Sequence, residues 1–266
     1  MTVTLNPHSL VEVVESKISP DQSKTSGLGA WCSKQWRAIL AEVVSTMMLL
    51  LFGCMTCIPL DNFPVQPPMY SPLGFGLVVS FNVQIFGHLS GAHMNPAVTL
   101  ASVIWGSMSV TLAVAYVIAQ CIGAILGYGI LVAIAPMDIV PIGVCLTEPH
   151  AGHTLVQALF VEVVLTSILS LLCCACWDPA NEHKQESVPI KFGLAIAGLS
   201  LAGGPLTGAS MNPARTLGPC VWTGSWDAHW IYWVGPLVGS SIRHPAATLW
   251  RRAISTSKPY LRNLYN

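Results

Sequence analysis

The sequence predicts an all-α membrane protein of six transmembrane helices plus two half-helices, arranged as an inverted 3+3 repeat. Three observations carry that expectation. Hydrophobic residues make up 53% of the 266-residue chain and charged residues only 9%, whereas soluble domains carry roughly 25% charged residues. Between Asp61 and Asp138 there is no Asp, Glu, Lys or Arg, and no water-facing surface is built that way. Two near-copies, LSGAHMNPAVT at 89–99 and LTGASMNPART at 206–216, sit among the apolar runs and share eight of eleven positions.

A spanning helix needs about 20 mostly apolar residues. In chain order the candidates are 37–58, 72–88, 109–134, 154–177, 189–206 and 228–249. The third is the cleanest, and its small residues suit close helix packing. The stretch 1–30 lacks the charged start and apolar run of a signal peptide and is expected to be a polar tail. Residues 31–250 are expected to form the membrane-embedded body, with halves at about 37–135 and 154–250, and 251–266 a second tail.

Charge sets the orientation. Lys17, Lys24, Lys34 and Arg37 precede the first span, and Lys184 and Lys191 lie between the fourth and fifth. Arg243, Arg251, Arg252, Lys258 and Arg262 end or follow the sixth. Six crossings put all three groups on one side, which the positive-inside rule makes cytoplasmic, together with both termini. The remaining basic residue, Arg215, falls on the other side. Net charge is zero, which argues against a nucleic-acid partner and leaves the lipid bilayer as the evident one. The nine cysteines, including Cys54, Cys57, Cys173, Cys174 and Cys176 within apolar runs, show neither metal-ligand nor disulfide spacing and are expected to be small core hydrophobes.

The repeat is visible beyond the quoted copies: EVVSTMMLLL from Glu42 pairs with EVVLTSILSL from Glu162. Three spans per half is an odd number, so the second half is inverted, and such repeats place their site near the bilayer midplane. Each Asn-Pro pair is a helix start, with Asn as cap and Pro at the first helical position. A single copy fits a capped surface helix. Two copies of opposite orientation predict half-helices that dip in from either face and meet N-terminus to N-terminus around a central pore. Non-helical backbone is tolerated at that depth only where it lines a cavity. Two helix N-termini, each worth roughly half a positive charge, repel cations and protons. The amides of Asn95 and Asn212 would offer donors to a neutral solute with acceptor oxygens.

With SGAHMNPAVT, TGASMNPART, Glu42 and Glu162 in place, the chain resembles the major intrinsic protein (aquaporin) family from about Arg37 to Leu237. The resemblance implies the aquaporin fold, a homotetramer with one pore per subunit, and pore motifs formed by Asn95, Pro96, Ala97, Asn212, Pro213 and Ala214. It implies passive passage of water and small neutral solutes, without cofactor, metal or enzymatic chemistry. Family members carry a second filter near the outer mouth. Helix directions bring Phe75, Ser200, Ala209 and Arg215 to one level there. Water-selective members typically have histidine at the position of Ser200, whereas glycerol channels have a small residue. NPART lacks the aspartate that typifies glyceroporins after the arginine, and YWVG keeps the aromatic pair of water channels. This combination is similar to the insect entomoglyceroporins and implies glycerol, with urea a further candidate. A strictly water-selective channel and a poorly conducting structural or adhesive protein of the same fold remain the alternatives. An intramembrane enzyme is disfavoured by the lack of HExxH, GxSxG or paired carboxylates on one helix.

Four further readings concern single groups. Glu42 and Glu162, as intramembrane carboxylates, are functional by default; buried acceptors that tie down the half-helix loops are favoured over a proton relay. His88 is placed to line the cytoplasmic half of the pore, and His93 to pack in its loop. His150 and His153 beside Cys145 resemble a metal site only weakly. The sixth span is irregular: RHPAATLWRR follows HWIYWVGPLVGSSI, so either Arg243 snorkels while the helix kinks on through Pro245, past His244, or the helix ends early.

Overall fold

The computed structural model describes residues 27–59 and 67–242. The chain divides at Trp36/Arg37 into two units. Of the first, the described residues form the opening turns of α1, where Trp31 N–H donates to the Gly27 carbonyl at 3.3 Å. Everything below concerns the second.

The order of helices is α1 (Leu28–Met55), α2 (Tyr70–Ser90), α3 (Pro96–Trp105), α4 (Val110–Ile134), α5 (Leu155–Trp177), α6 (Val188–Thr207), α7 (Pro213–Thr223) and α8 (Ile231–Ser241). A short 3-10 segment, Pro179–Ser187, precedes α6. Among the described residues, five helical stretches are long and apolar enough to cross a membrane: Gly29–Met55, Tyr70–Ser90, Val110–Ile134, Leu155–Trp177 and Pro179–Thr207. α8 occupies the sixth position and reaches the edge of the described residues. Residues 1–26 of the first expected tail, the whole of 251–266, and the question of Arg243, His244 and Pro245 lie outside them, whereas residues 28–30 of that first tail already belong to α1.

Local chemistry explains the ends. α5 starts with a capping box, in which the Thr154 hydroxyl accepts from Gln157 N–H while the Gln157 side chain accepts from Thr154 N–H. α4 starts at Ser109, whose hydroxyl accepts from Leu112 N–H. α3 and α7 each begin with Pro after an Asn cap and stop at a left-handed glycine, Gly106 and Gly224.

The polar and small residues face inward. Glu42, Thr46, Asn82, Thr99, Gln120, Glu162, Thr166 and Thr207 are wholly buried, while Leu77, Phe160 and Leu194 are more than 60% exposed. That is the inversion a lipid solvent imposes, since apolar side chains gain little there from leaving the surface. Close helix crossings follow. A methyl group on Gly123 or Gly127 of α4 would strike the α1 backbone at Val43 or Met47, and on Gly239 of α8 the α5 backbone at Val163. On Gly235 of α8 a methyl would meet the Glu162 side chain at 2.7 Å. The same spacing of small residues therefore packs α4 on α1 and α8 on α5, one crossing per repeat. α2 and α6 make the corresponding pair through Gly76 and Gly193.

One expectation is corrected here. Cys54 is not a free core residue: it forms a disulfide with Cys145, across 91 residues of sequence and with Cα atoms 5.3 Å apart. The partners come from the end of α1 and the connection between α4 and α5, so only the fold brings them together.

Candidate functional site

The two Asn-Pro segments meet head to head. Asn95 Oδ1 accepts from Ala97 N–H at 2.8 Å, and its amide Nδ2 donates to the Met211 carbonyl at 2.8 Å. Asn212 mirrors this: Oδ1 accepts from Ala214 and Arg215 N–H, and Nδ2 donates to the Met94 carbonyl at 2.7 Å. Each asparagine thus caps its own helix and ties it to the other repeat. An amide nitrogen carries two hydrogens, so one donor per asparagine is spent on the junction rather than both facing the lumen. Pro96, Ala97, Pro213 and Ala214 are buried at the helix starts.

The loops into these helices are strained and clamped. Ala92, Met94, Ala209 and Met211 all have positive φ, between 45° and 51° for the first three and 52° for Met211, a conformation non-glycine residues hold only when the surroundings impose it. Buried carboxylates impose it. Glu42 accepts from Ser90 Oγ, His93 N, Met94 N and Gln120 Nε2. Glu162 accepts from Thr207 Oγ1, Ser210 N and Met211 N. Tyr116 and Tyr232 brace the same loops by donating to the carbonyls of Ser90 and Thr207. Tyr116 escaped the sequence reading and Tyr232 entered it only within YWVG; their matched positions in α4 and α8 were the available signal for the bracing role.

A cavity of about 950 Å³ runs past both asparagines. It follows one face of α2, where Pro72, Phe75, Val79, Val83 and Gly87 recur at helical spacing, from Ser71 at one end to His88 at the other. At 1.5 Å per residue that stretch covers about 25 Å, close to the thickness of a bilayer core at about 30 Å. Ser200, Ala209 and Arg215 line the same cavity. All four filter candidates therefore share one wall system with Asn95, Asn212 and His88. His93 also borders the cavity while packing edge-on against Tyr116, with ring centroids 5.5 Å apart.

Arg215 is 8% exposed. Its Nη1 donates to the Cys145 carbonyl at 2.7 Å, and its guanidinium carbon sits 5.0 Å above the centroid of the Phe75 ring. A buried guanidinium needs such company, because an uncompensated charge at this depth is expensive. His150 and His153 lie elsewhere, on the Leu206 carbonyl, with ring centroids 5.8 Å apart. Among the described residues no group of three His, Cys, Asp or Glu is placed to hold a metal ion.

The class that this fold and site define is a multi-pass all-α membrane protein whose inverted repeat lines an elongated cavity. The sequence model of the major intrinsic protein family matches residues 30–244, and the chain belongs to that family of membrane channels. It is 40% identical over 216 residues to aquaporin-4 of Mus musculus, covering 80% of this chain and 66% of that protein; it thus spans slightly less than two thirds of that relative's length. It is 39% identical over 207 residues to the lens fiber major intrinsic protein of Lithobates pipiens, covering 78% of each. Among solved structures, the aquaglyceroporin from Plasmodium falciparum superposes with a TM-score of 0.69 at 25% identity, covering 81% of this chain and 99% of that one.

Proposed function

We propose that the protein is a passive channel for water and small neutral solutes, glycerol and urea among them, that excludes ions and protons. The observation that carries this reading is the cavity along α2, which passes two converging helix N-termini and a buried arginine. Positive ends of helices and a guanidinium raise the energy of a cation in the passage, while a hydroxyl solute finds donors. Asn95 and Asn212 present their remaining amide hydrogens at the junction. Phe75, Ser200, Ala209 and Arg215 form the narrow filter, with Ser200 leaving room that an imidazole would fill. Glu42 and Glu162 hold the loops and do not relay protons. The channel domain is residues 31–250, with both termini cytoplasmic, in the cell membrane, and with a homotetramer as the assembly.

A strictly water-selective pore is the second reading, favoured by Phe75 lying under Arg215, which narrows the filter from one side. Reconstituted liposomes separate the two. Osmotic shrinkage reports water and the slower reswelling reports glycerol, with ionic conductance measured in parallel. Faster water and glycerol movement without ionic current supports the proposal. Water without glycerol supports the second reading, and neither leaves the structural or adhesive alternative.

A further inference from the structure

The Cys54–Cys145 disulfide plays no part in forming the junction, yet it touches both sides of the filter. Cys54 is wholly buried at the end of α1, and the residue before it, Gly53, leaves the space that the Phe75 ring occupies. A methyl group on Gly53 would stand 2.5 Å from that ring. Cys145 has φ of +68°, a backbone state that a cysteine keeps only under constraint. The preceding carbonyl, of Val144, accepts from the Tyr128 hydroxyl at 2.8 Å. The Cys145 carbonyl accepts from Arg215 Nη1 at 2.7 Å. Two adjacent residues of α1 therefore set the ring on one side and, through a sulfur bridge, the carbonyl that parks the guanidinium above that ring. Both cysteines lie on the Arg215 side of the junction, the face proposed as extracellular, where disulfides persist.

We propose that the Cys54–Cys145 disulfide is a positioning element of the selectivity filter: it holds the Cys145 carbonyl on Arg215 and so keeps the guanidinium against the wall. This rests on reading Phe75 and Arg215 as filter residues. Reduction by an added dithiol breaks the sulfur–sulfur bond, leaves two thiols and oxidises the dithiol to its own disulfide. The 145 carbonyl is then free to turn away, and Arg215 gains access to the lumen. Glycerol fills the cross-section and suffers most, while water, the smaller solute, is slowed less by the mobile guanidinium.

The test uses the full chain in liposomes and compares five samples: wild type, wild type reduced with dithiothreitol and checked by mass, Cys54→Ser/Cys145→Ser, Arg215→Val, and the triple variant. Reduction is expected to lower the glycerol-to-water permeability ratio about fivefold, the Boltzmann weight of one net hydrogen bond. The double-serine variant starts at the lowered ratio and ignores dithiothreitol. On the Arg215→Val background, loss of the disulfide changes the ratio by less than about twofold, because coupled residues are not additive. An unchanged ratio on reduction overturns the proposal, as do disulfide and Arg215 effects that multiply independently. Reduction of folded wild type needs no variant to fold. If wild type carries no glycerol, it is the glycerol reading that fails, and the same cycle is read from water permeability per molecule. Coupling there sustains the positioning role and independence overturns it.

Discussion

The segment entering α3 and the segment entering α7 share a backbone and differ in what hangs from it. Both run through a left-handed glycine, Gly91 or Gly208, then alanine and methionine at positive φ, then an asparagine cap and a proline. Both hang from a buried glutamate on the first helix of their half. The α3 segment adds His93 and Thr99, joined to each other and to Gln120. The α7 segment adds Ser210 and Thr216, joined to Thr147, and it carries Arg215 where α3 carries Val98. Duplication thus supplies the backbone of the junction twice, whereas three of the four residues proposed as the filter, Ser200, Ala209 and Arg215, belong to the second half alone. Backbone geometry at the junction is demanding and is kept in both copies; the proposed filter is a local choice made on that frame.

Removing the clamps is the harshest way to break the comparison. Glu42→Ala strands four donors and Glu162→Ala three, at roughly 1–3 kcal/mol for each buried donor left unpaired. Neither variant is expected to give a monodisperse folded peak in detergent, and Glu42→Ala is the worse of the two. Size-exclusion chromatography after graded heating measures the order; equal behaviour to wild type would show that the loops stand without their carboxylates.

Exchanging the residues that distinguish the copies comes next. Val98→Arg puts a charge into an apolar cluster with Leu165, Leu169, Cys173 and Met211, and an uncompensated buried charge costs about 3–5 kcal/mol. The reverse change, Arg215→Val, removes one hydrogen bond, worth about 1 kcal/mol net, so it folds but leaks. The expected readouts are a clear loss of thermal stability for the first and a rise in cation or proton conductance for the second. A stable Val98→Arg channel would mean that the two copies are interchangeable after all.

Gly53→Ala is a milder probe. Its methyl presses on the Phe75 ring, and overpacking of that kind costs about 1–3 kcal/mol. Glycerol permeability should drop more than water permeability as the ring moves toward the lumen. Equal drops in both would detach Gly53 from selectivity.

What the sequence made legible follows the repeat. The asparagines, the glutamates and the lone basic residue of its face, Arg215, all announce themselves as polar groups in an apolar chain, the prolines mark the half-helix starts, and six apolar runs locate the spans. Gln120 carried the same signal, a lone amide in the cleanest span, and its link to Glu42 appears only in three dimensions. The disulfide was hidden because Cys54 looks like any small residue in an apolar run, Cys145 draws the eye only toward His150 and His153, and the two meet only when α1 and the α4–α5 connection are in place. α1 also begins earlier than the apolar window, at Leu28, because Lys34 and Arg37 favour a helix without favouring lipid. The hydroxyls of Tyr116 and of Tyr232, the first residue of YWVG, are seen on the loop carbonyls only in three dimensions.

The most direct test of the account is Ser200→His, with water and glycerol permeability measured on one liposome preparation. An imidazole restored to the filter should lower glycerol permeability about tenfold, equivalent to ~1.4 kcal/mol in the barrier, while water stays near its wild-type value. Glycerol passing unhindered through the histidine variant, or both solutes falling in step, would contradict it.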